Sequence, residues 1–206
     1  MIKVYVDSCV ECQTRNVMKQ KAAGELQSFR PECPWEIIAT DVMGLLPGTS
    51  KRNQFIITAT DLFTKWVCGK AIAVQNAETV ARFLVFEVFL RYGVPHKILS
   101  DQGTPFCNLL TKAIFKLFNV KKLTTSGYHP QTNGQRGRFN GTLASMLSKY
   151  VDGNQRDWDN ALPYLLFAYN TSQHATIGFT PYKMLYAREF RLTSICPLSW
   201  NRLLRI

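Results

Sequence analysis

Between residues 35 and 72 the apolar positions come in short, β-branched runs. Glu36-Ile37-Ile38-Ala39-Thr40-Asp41-Val42 and Gln54-Phe55-Ile56-Ile57-Thr58-Ala59-Thr60 predict two strands. The turn-forming stretch Leu46-Pro47-Gly48-Thr49-Ser50-Lys51-Arg52-Asn53 separates them. Lys65–Ile72 predicts a third strand, so the short connections make an antiparallel meander. The period then changes. In Ala77–Tyr92, Val80, Phe83, Leu84 and Val88 recur at helical spacing, and Gly93 and Pro95 stop the helix. His96–Ser100 predicts a fourth strand with Asp101 at its end, Leu109–Phe118 a helix, and Lys121–Thr125 a fifth strand. Tyr128–Asn133 reads as a loop, and Gly134–Tyr150, Trp158–Tyr169 and Pro181–Tyr186 as helices. On the first of these, Phe139, Leu143, Met146, Leu147 and Tyr150 form one core-facing stripe. The pattern is α/β: a mixed sheet, begun by a meander and continued by helix-connected strands, flanked by helices.

Residues 15–34 are polar, contain Gly24, Pro31 and Pro34, and read as a linker. A front segment (1–30), a compact domain (31–190) and a tail (191–206) are therefore expected. With 46% apolar and 19% charged residues the chain does not have a disordered composition. No apolar run reaches the roughly 18 residues of a membrane span. Phe83–Leu90 is broken by Glu87 and Ala161–Tyr169 by Pro163. The first residues carry no signal-peptide pattern, so a nuclear or cytoplasmic protein is expected, neither secreted nor membrane-bound.

Charge narrows the function. Lys and Arg number 25 against 14 Asp and Glu, a formal net charge of +11. From Gln102 to Val151 there is no acid, while Lys112, Lys116, Lys121, Lys122, Arg136, Arg138 and Lys149 are all basic. Such a balance suits a polyanion, nucleic acid above all, and also serves as solubilising charge. Six cysteines are too few for a disulfide scaffold. Cys33, Cys68, Cys107 and Cys196 read as reduced, buried or inert, whereas Cys9-Val10-Glu11-Cys12 has the spacing of half a zinc site. No histidine precedes it to complete the site.

Asp41 lies in the first strand and Asp101 ends the fourth. Catalysis in α/β sheets collects at carboxyl ends of strands. Two carboxylates on neighbouring strands suit a hard cation, Mg²⁺ or Mn²⁺, and phosphodiester chemistry on a pair of such ions. On spacing alone, Asp41 reads equally as a solvated strand residue and Asp101 as a turn former.

Several segments resemble the integrases of gypsy-type retrotransposons and retroviruses. They are Cys9-x-x-Cys12-Gln13, Pro34-Trp35, Asp61-Leu62-Phe63-Thr64-Lys65, Tyr92-Gly93-Val94-Pro95 and Ser100-Asp101-Gln102-Gly103. With them go Tyr128-His129-Pro130-Gln131-Thr132-Asn133-Gly134-Gln135, Phe167-Ala168-Tyr169-Asn170, and His174 with Gly178-Phe179-Thr180-Pro181-Tyr182. The resemblance implies a ribonuclease-H-like core whose Asp, Asp, Glu triad holds two Mg²⁺. It also implies processing and transfer of DNA ends within a dimer or higher multimer, and a zinc-binding N-terminal domain. Asp41 and Asp101 match the two aspartates. The glutamate falls 35 residues beyond the second, where this chain has Gly137. Gly141 likewise replaces a larger, often basic, residue.

By helical angle, position 137 faces away from the Phe139 stripe, on the side of Asn133, Asn140 and Gly141. Asp61 is the nearest other acid by topology, while Glu87 reads as a surface or edge residue. The resemblance places Gln131, Asn133, Arg136, Arg138 and Asn140 on a DNA face. Read without it, Gln131 and Asn133 serve a loop and a helix cap, and Arg138 a solvated helix side. Trp158, Pro163, Phe167, Tyr169 and Pro181 read as packing residues, and His129 and His174 as single histidines without a ligand role. Only eight residues precede Cys9, so zinc is not expected, and Cys9 and Cys12 read as a vestige. The leading expectation is a DNA-binding, integrase-core-like protein that lacks its third carboxylate and takes no small-molecule substrate. Two alternatives are an active Mg²⁺-dependent integrase or nuclease with another third ligand, and a domesticated protein-interaction module.

Overall fold

The computed structural model describes residues 31–124, 130–150 and 156–191, with side chains described for all of these except 124, 130–138 and 150. Five strands, β1 (Ile37–Met43), β2 (Phe55–Asp61), β3 (Val67–Ile72), β4 (Lys97–Ser100) and β5 (Lys121–Thr124), form one sheet in the order β3-β2-β1-β4-β5. The β1–β2 and β2–β3 pairs are antiparallel; β1–β4 and β4–β5 are parallel. The meander and the helix-connected half are both as predicted.

Strand parity sorts the core. Ile38, Ile57, Ala59, Ile72 and Ile98 point to one face, packed against Val80, Phe83, Leu84, Val88, Phe106 and Phe115. Those residues belong to α1 (Ala77–Phe83, continued by Leu84–Phe89 and Leu90–Tyr92), α2 (Thr104–Cys107) and α3 (Leu109–Leu117). Ile56 and Val67 point to the other face, against α4 (Pro130–Tyr150) and α5 (Trp158–Thr171). Pro181–Tyr186 forms α6.

Several features depart from the sequence reading. Leu84–Phe89 is π-helical. There Phe83 and Val88, and Leu84 and Phe89, are all buried at a spacing of five, which a wider turn keeps on one face. The helix α4 starts at Pro130, four residues before the expected Gly134, so residues 130–133 are helix rather than loop. Proline is well suited to a first helical turn. The one-turn helix α2 has no periodic signature and was absent from the expected elements. The third strand begins two residues late, because Lys65 takes a left-handed turn conformation (φ 64°). Cys33, Cys68 and Cys107 are free thiols, Cys33 exposed and the other two half-buried. Among the described residues, no helix is long and apolar enough to cross a membrane.

Candidate functional site: two aspartates at adjacent strand ends

Asp41 sits opposite Thr58 in the β1–β2 ladder. In the parallel pair, Ile37, Ile38 and Ala39 face Lys97, Ile98 and Leu99. Carried two residues further, that register sets Asp41 level with Asp101, just past the end of β4. Adjacent strands lie about 4.8 Å apart. Both acids therefore belong to one end of two neighbouring parallel strands. Parity puts Asp41 on the α4 and α5 face, with Met43, which packs against that cluster.

Each carboxylate is held by a different local device. The Asp101 Oδ1 accepts the Gly103 N–H at 2.9 Å. A Cβ on Gly103 would lie 2.8 Å from that same oxygen, so a side chain there would push the Asp101 carboxylate aside. Asp41 Oδ2 accepts from Asn140 Nδ2 at 2.9 Å, a link between β1 and α4 across 99 residues of sequence. The buried Phe139, Leu143, Met146 and Leu147 fix the rotation of α4 and so turn Asn140 toward Asp41. Gly137 lies three residues earlier on the same helix, and residues at that spacing share a face. Having no side chain, it supplies no ligand. A Cβ at the exposed Gly141 would meet nothing within 4 Å, so packing does not demand glycine there.

Other acids are placed elsewhere. Asp61 pairs with Ile38 and so faces the opposite side of the sheet from Asp41. It is fully buried and accepts from Trp35 N (3.1 Å), Phe63 N (3.2 Å), Thr64 N (3.0 Å) and Thr64 Oγ1 (2.6 Å). Its carboxylate closes the β2–β3 turn. Glu87 is mostly covered and pairs with Lys70 and Arg91 on the α1 side. Cys9 and Cys12 lie outside the described residues. Gln131, Asn133, Arg136 and Arg138 lie in α4, in the part whose side chains are not described.

The donor chemistry limits what this site can hold. Two carboxylates suit one hard divalent cation. They do not fit a pair of ions bridged by three acids. Among the described residues, no group of three His, Cys, Asp or Glu is placed to hold a metal. The neutral amide of Asn140 already engages one Asp41 oxygen.

A five-stranded mixed sheet of this order, with helices on both faces, defines the ribonuclease-H-like class. The fold is similar to the solved HTLV-2 integrase catalytic core domain, a structure in complex with magnesium in a trimeric form. The TM-score is 0.61 at 23% identity, covering 76% of this chain and 99% of that one. In sequence, the chain is 30% identical over 190 residues to Gypsy retrotransposon integrase-like protein 1 of Bos taurus, covering 91% of this chain and 37% of the relative. It is 29% identical over 202 residues to the Retrovirus-related Pol polyprotein from transposon 412 of Drosophila melanogaster, covering 98% of this chain and 16% of the relative. No protein-family model matches the chain. The chain is thus a homologue of retroelement integrase-like and Pol proteins, and it spans less than two fifths of the length of these curated relatives.

Proposed function

We propose that this chain is an integrase-core-like protein that binds DNA in the context of DNA integration, with its phosphoryl-transfer chemistry impaired. The observation that supports the reading is the hydrogen bond from Asn140 to Asp41, on a helix that carries a glycine at 137, beside a parallel register that runs on toward Asp101. Asp41 and Asp101 would hold a single Mg²⁺ or Mn²⁺ weakly, and such an ion would supply charge for a phosphate oxygen. Gln131, Asn133, Arg136, Arg138 and Asn140 would line the DNA face. Residues 31–190 would form the core domain of a homodimer or larger assembly, and residues 1–30 a front segment carrying Cys9 and Cys12. The compartment that goes with this reading is the nucleus or the cytoplasm.

The test is nicking and end-joining of DNA by the wild type, Gly137→Glu, and Gly137→Glu with Asp101→Asn. A metal ligand worth several kcal/mol of barrier changes the rate about tenfold per 1.36 kcal/mol. Gly137→Glu should therefore gain roughly two orders of magnitude over a near-silent wild type, and Asp101→Asn should remove the gain. Robust wild-type activity abolished by Asp101→Asn would overturn the impairment.

A further inference from the structure

Beside Asn140, on the same face of the sheet, the seam between β2, α4 and the end of α5 forms an open cavity of about 350 Å³. Thr60, Lys65, Phe139, Thr142, Tyr169 and His174 are in its wall, and no described lining residue is an acid. Its position relative to the aspartates follows from register. Thr60 is two residues along β2 from Thr58, the partner of Asp41. Two residues of strand span roughly 7 Å. Phe139, in the wall, adjoins Asn140, which holds Asp41.

The wall is rich in fixed donors. Lys65 brings an ammonium from the β2–β3 turn, anchored on Leu62 O at 2.7 Å. His174 Nδ1 accepts the Thr176 N–H at 3.3 Å, so the neutral ring carries its proton on Nε2. The loop around His174 is tied by Ile177 N and Gly178 N to His174 O (3.1 and 2.9 Å). Gln173 Nε2 adds a bond to Gly178 O at 2.9 Å. Tyr169 is edge-on to Phe139 at 5.0 Å and to His174 at 6.3 Å, which fixes its ring. Burial pushes its hydroxyl up to about 12, so it remains a donor at neutral pH. Thr60 and Thr142 add hydroxyls. Among the described lining residues, one cation and several neutral donors without a carboxylate form an environment for an oxyanion.

We propose that this cavity binds a phosphate group, either of a nucleic-acid strand that also crosses Asp41 or of a free phosphate. The strand source rests on the DNA-binding reading; the site itself rests on its lining. Inorganic phosphate, titrated into the full chain at fixed ionic strength, should shift the amide resonances of residues 174–178 saturably. Lys65→Met should weaken the affinity about tenfold, as expected for losing a charge-assisted bond, and Lys65→Arg should restore most of it. His174→Asn keeps an acceptor for Thr176 N and should weaken binding by removing the Nε2 donor; Thr142→Val gives a further arm. Melting temperatures without phosphate show which variants fold. A 5′-phosphorylated tetranucleotide that displaces phosphate assigns the site to a strand; phosphate binding without displacement assigns it to the free ion. No saturable shift, or one unchanged by Lys65→Met and His174→Asn, overturns the site. DNA binding measured on the same sample separates the two readings. If DNA binds while the cavity is silent, the cavity falls and the proposed function stands. If phosphate binds and DNA does not, the proposed function falls.

Discussion

Asp41 and Asp61 lie on paired strands, yet their side chains face opposite sides of the sheet. Parity decides it: Asp61 stands opposite Ile38, whereas Asp41 stands opposite Thr58. The difference was legible in the strand pattern once the hairpin register was known. The four donors on Asp61 were not, because they come from a turn and from Trp35, whose left-handed backbone (φ 62°) no periodicity reveals. Asp61→Ala would strand the buried Trp35 and Thr64 N–H groups. A loss of about 3 kcal/mol in urea unfolding is expected, and a loss below about 1 kcal/mol would show that water replaces the carboxylate. Tyr169 gives a pH dependence. Burial raises its hydroxyl from 10.0 to about 12, so above pH 10 the unfolded chain ionises first. Its contribution is complete below pH 10 and is lost as pH climbs to about 12. Tyr169→Phe should flatten the alkaline fall in stability over that window by roughly 1–2 kcal/mol. A fall identical to wild type would place the ionising group elsewhere. The role of Tyr169 in a cavity wall was missed by the sequence reading, since an aromatic at helical spacing signals packing first.

At the scale of elements, long periodic segments were legible and their joints were not. The buried stripe of α4 was readable from Phe139 to Leu147, and it aims Asn140. The start of α4 at Pro130 was obscured because a Pro-Gln-Thr-Asn-Gly run carries loop chemistry as strongly as helix-start chemistry. The π-helical stretch of α1 was hidden because spacings of three, four and five all satisfy a short apolar pattern. The β1–β2 connection, read as a turn, proves to be a clamp on the start of α5. Asp159 Oδ2 accepts from Thr49 Oγ1 (3.1 Å) and Asn53 Nδ2 (2.8 Å), Trp158 Nε1 donates to Pro47 O (2.8 Å), and Lys51 Nζ donates to Asn160 Oδ1 (2.7 Å). These links join positions more than 100 residues apart, beyond any local sequence signal. Asp159→Ala should release the connection and cost about 2 kcal/mol. Amide exchange at Asn53 should then quicken, because its N–H donates to Thr49 Oγ1 (3.1 Å). Unchanged protection there would mean the remaining links suffice.

For the whole molecule, the charge distribution and the fold act together. The sheet brings Asp41 and Asp101 to one end, while the acid-free run from Gln102 to Val151 spans β5 and most of the residues around α3 and α4. The described lysines of that run, Lys112, Lys116, Lys121 and Lys149, are exposed, so their charge is available to a polyanion. Lys122 is instead partly spent, donating to Phe106 O at 2.7 Å. Binding driven by phosphates releases counterions, and the logarithm of the affinity falls with the logarithm of salt by about 0.9 per phosphate contact on duplex DNA. With four exposed lysines and the two α4 arginines, a slope of up to roughly −5.4 is expected, with little preference for sequence. Arg136→Gln with Arg138→Gln should reduce its magnitude by up to about 2. Lys122→Gln should leave the slope nearly unchanged and instead loosen the contact between β5 and α2. The measurement is a set of binding isotherms on duplexes of unrelated sequence across a salt series. A flat salt dependence, or a slope that Lys122→Gln lowers as much as the paired arginine change, would show that the charge does not act through the surface the fold presents.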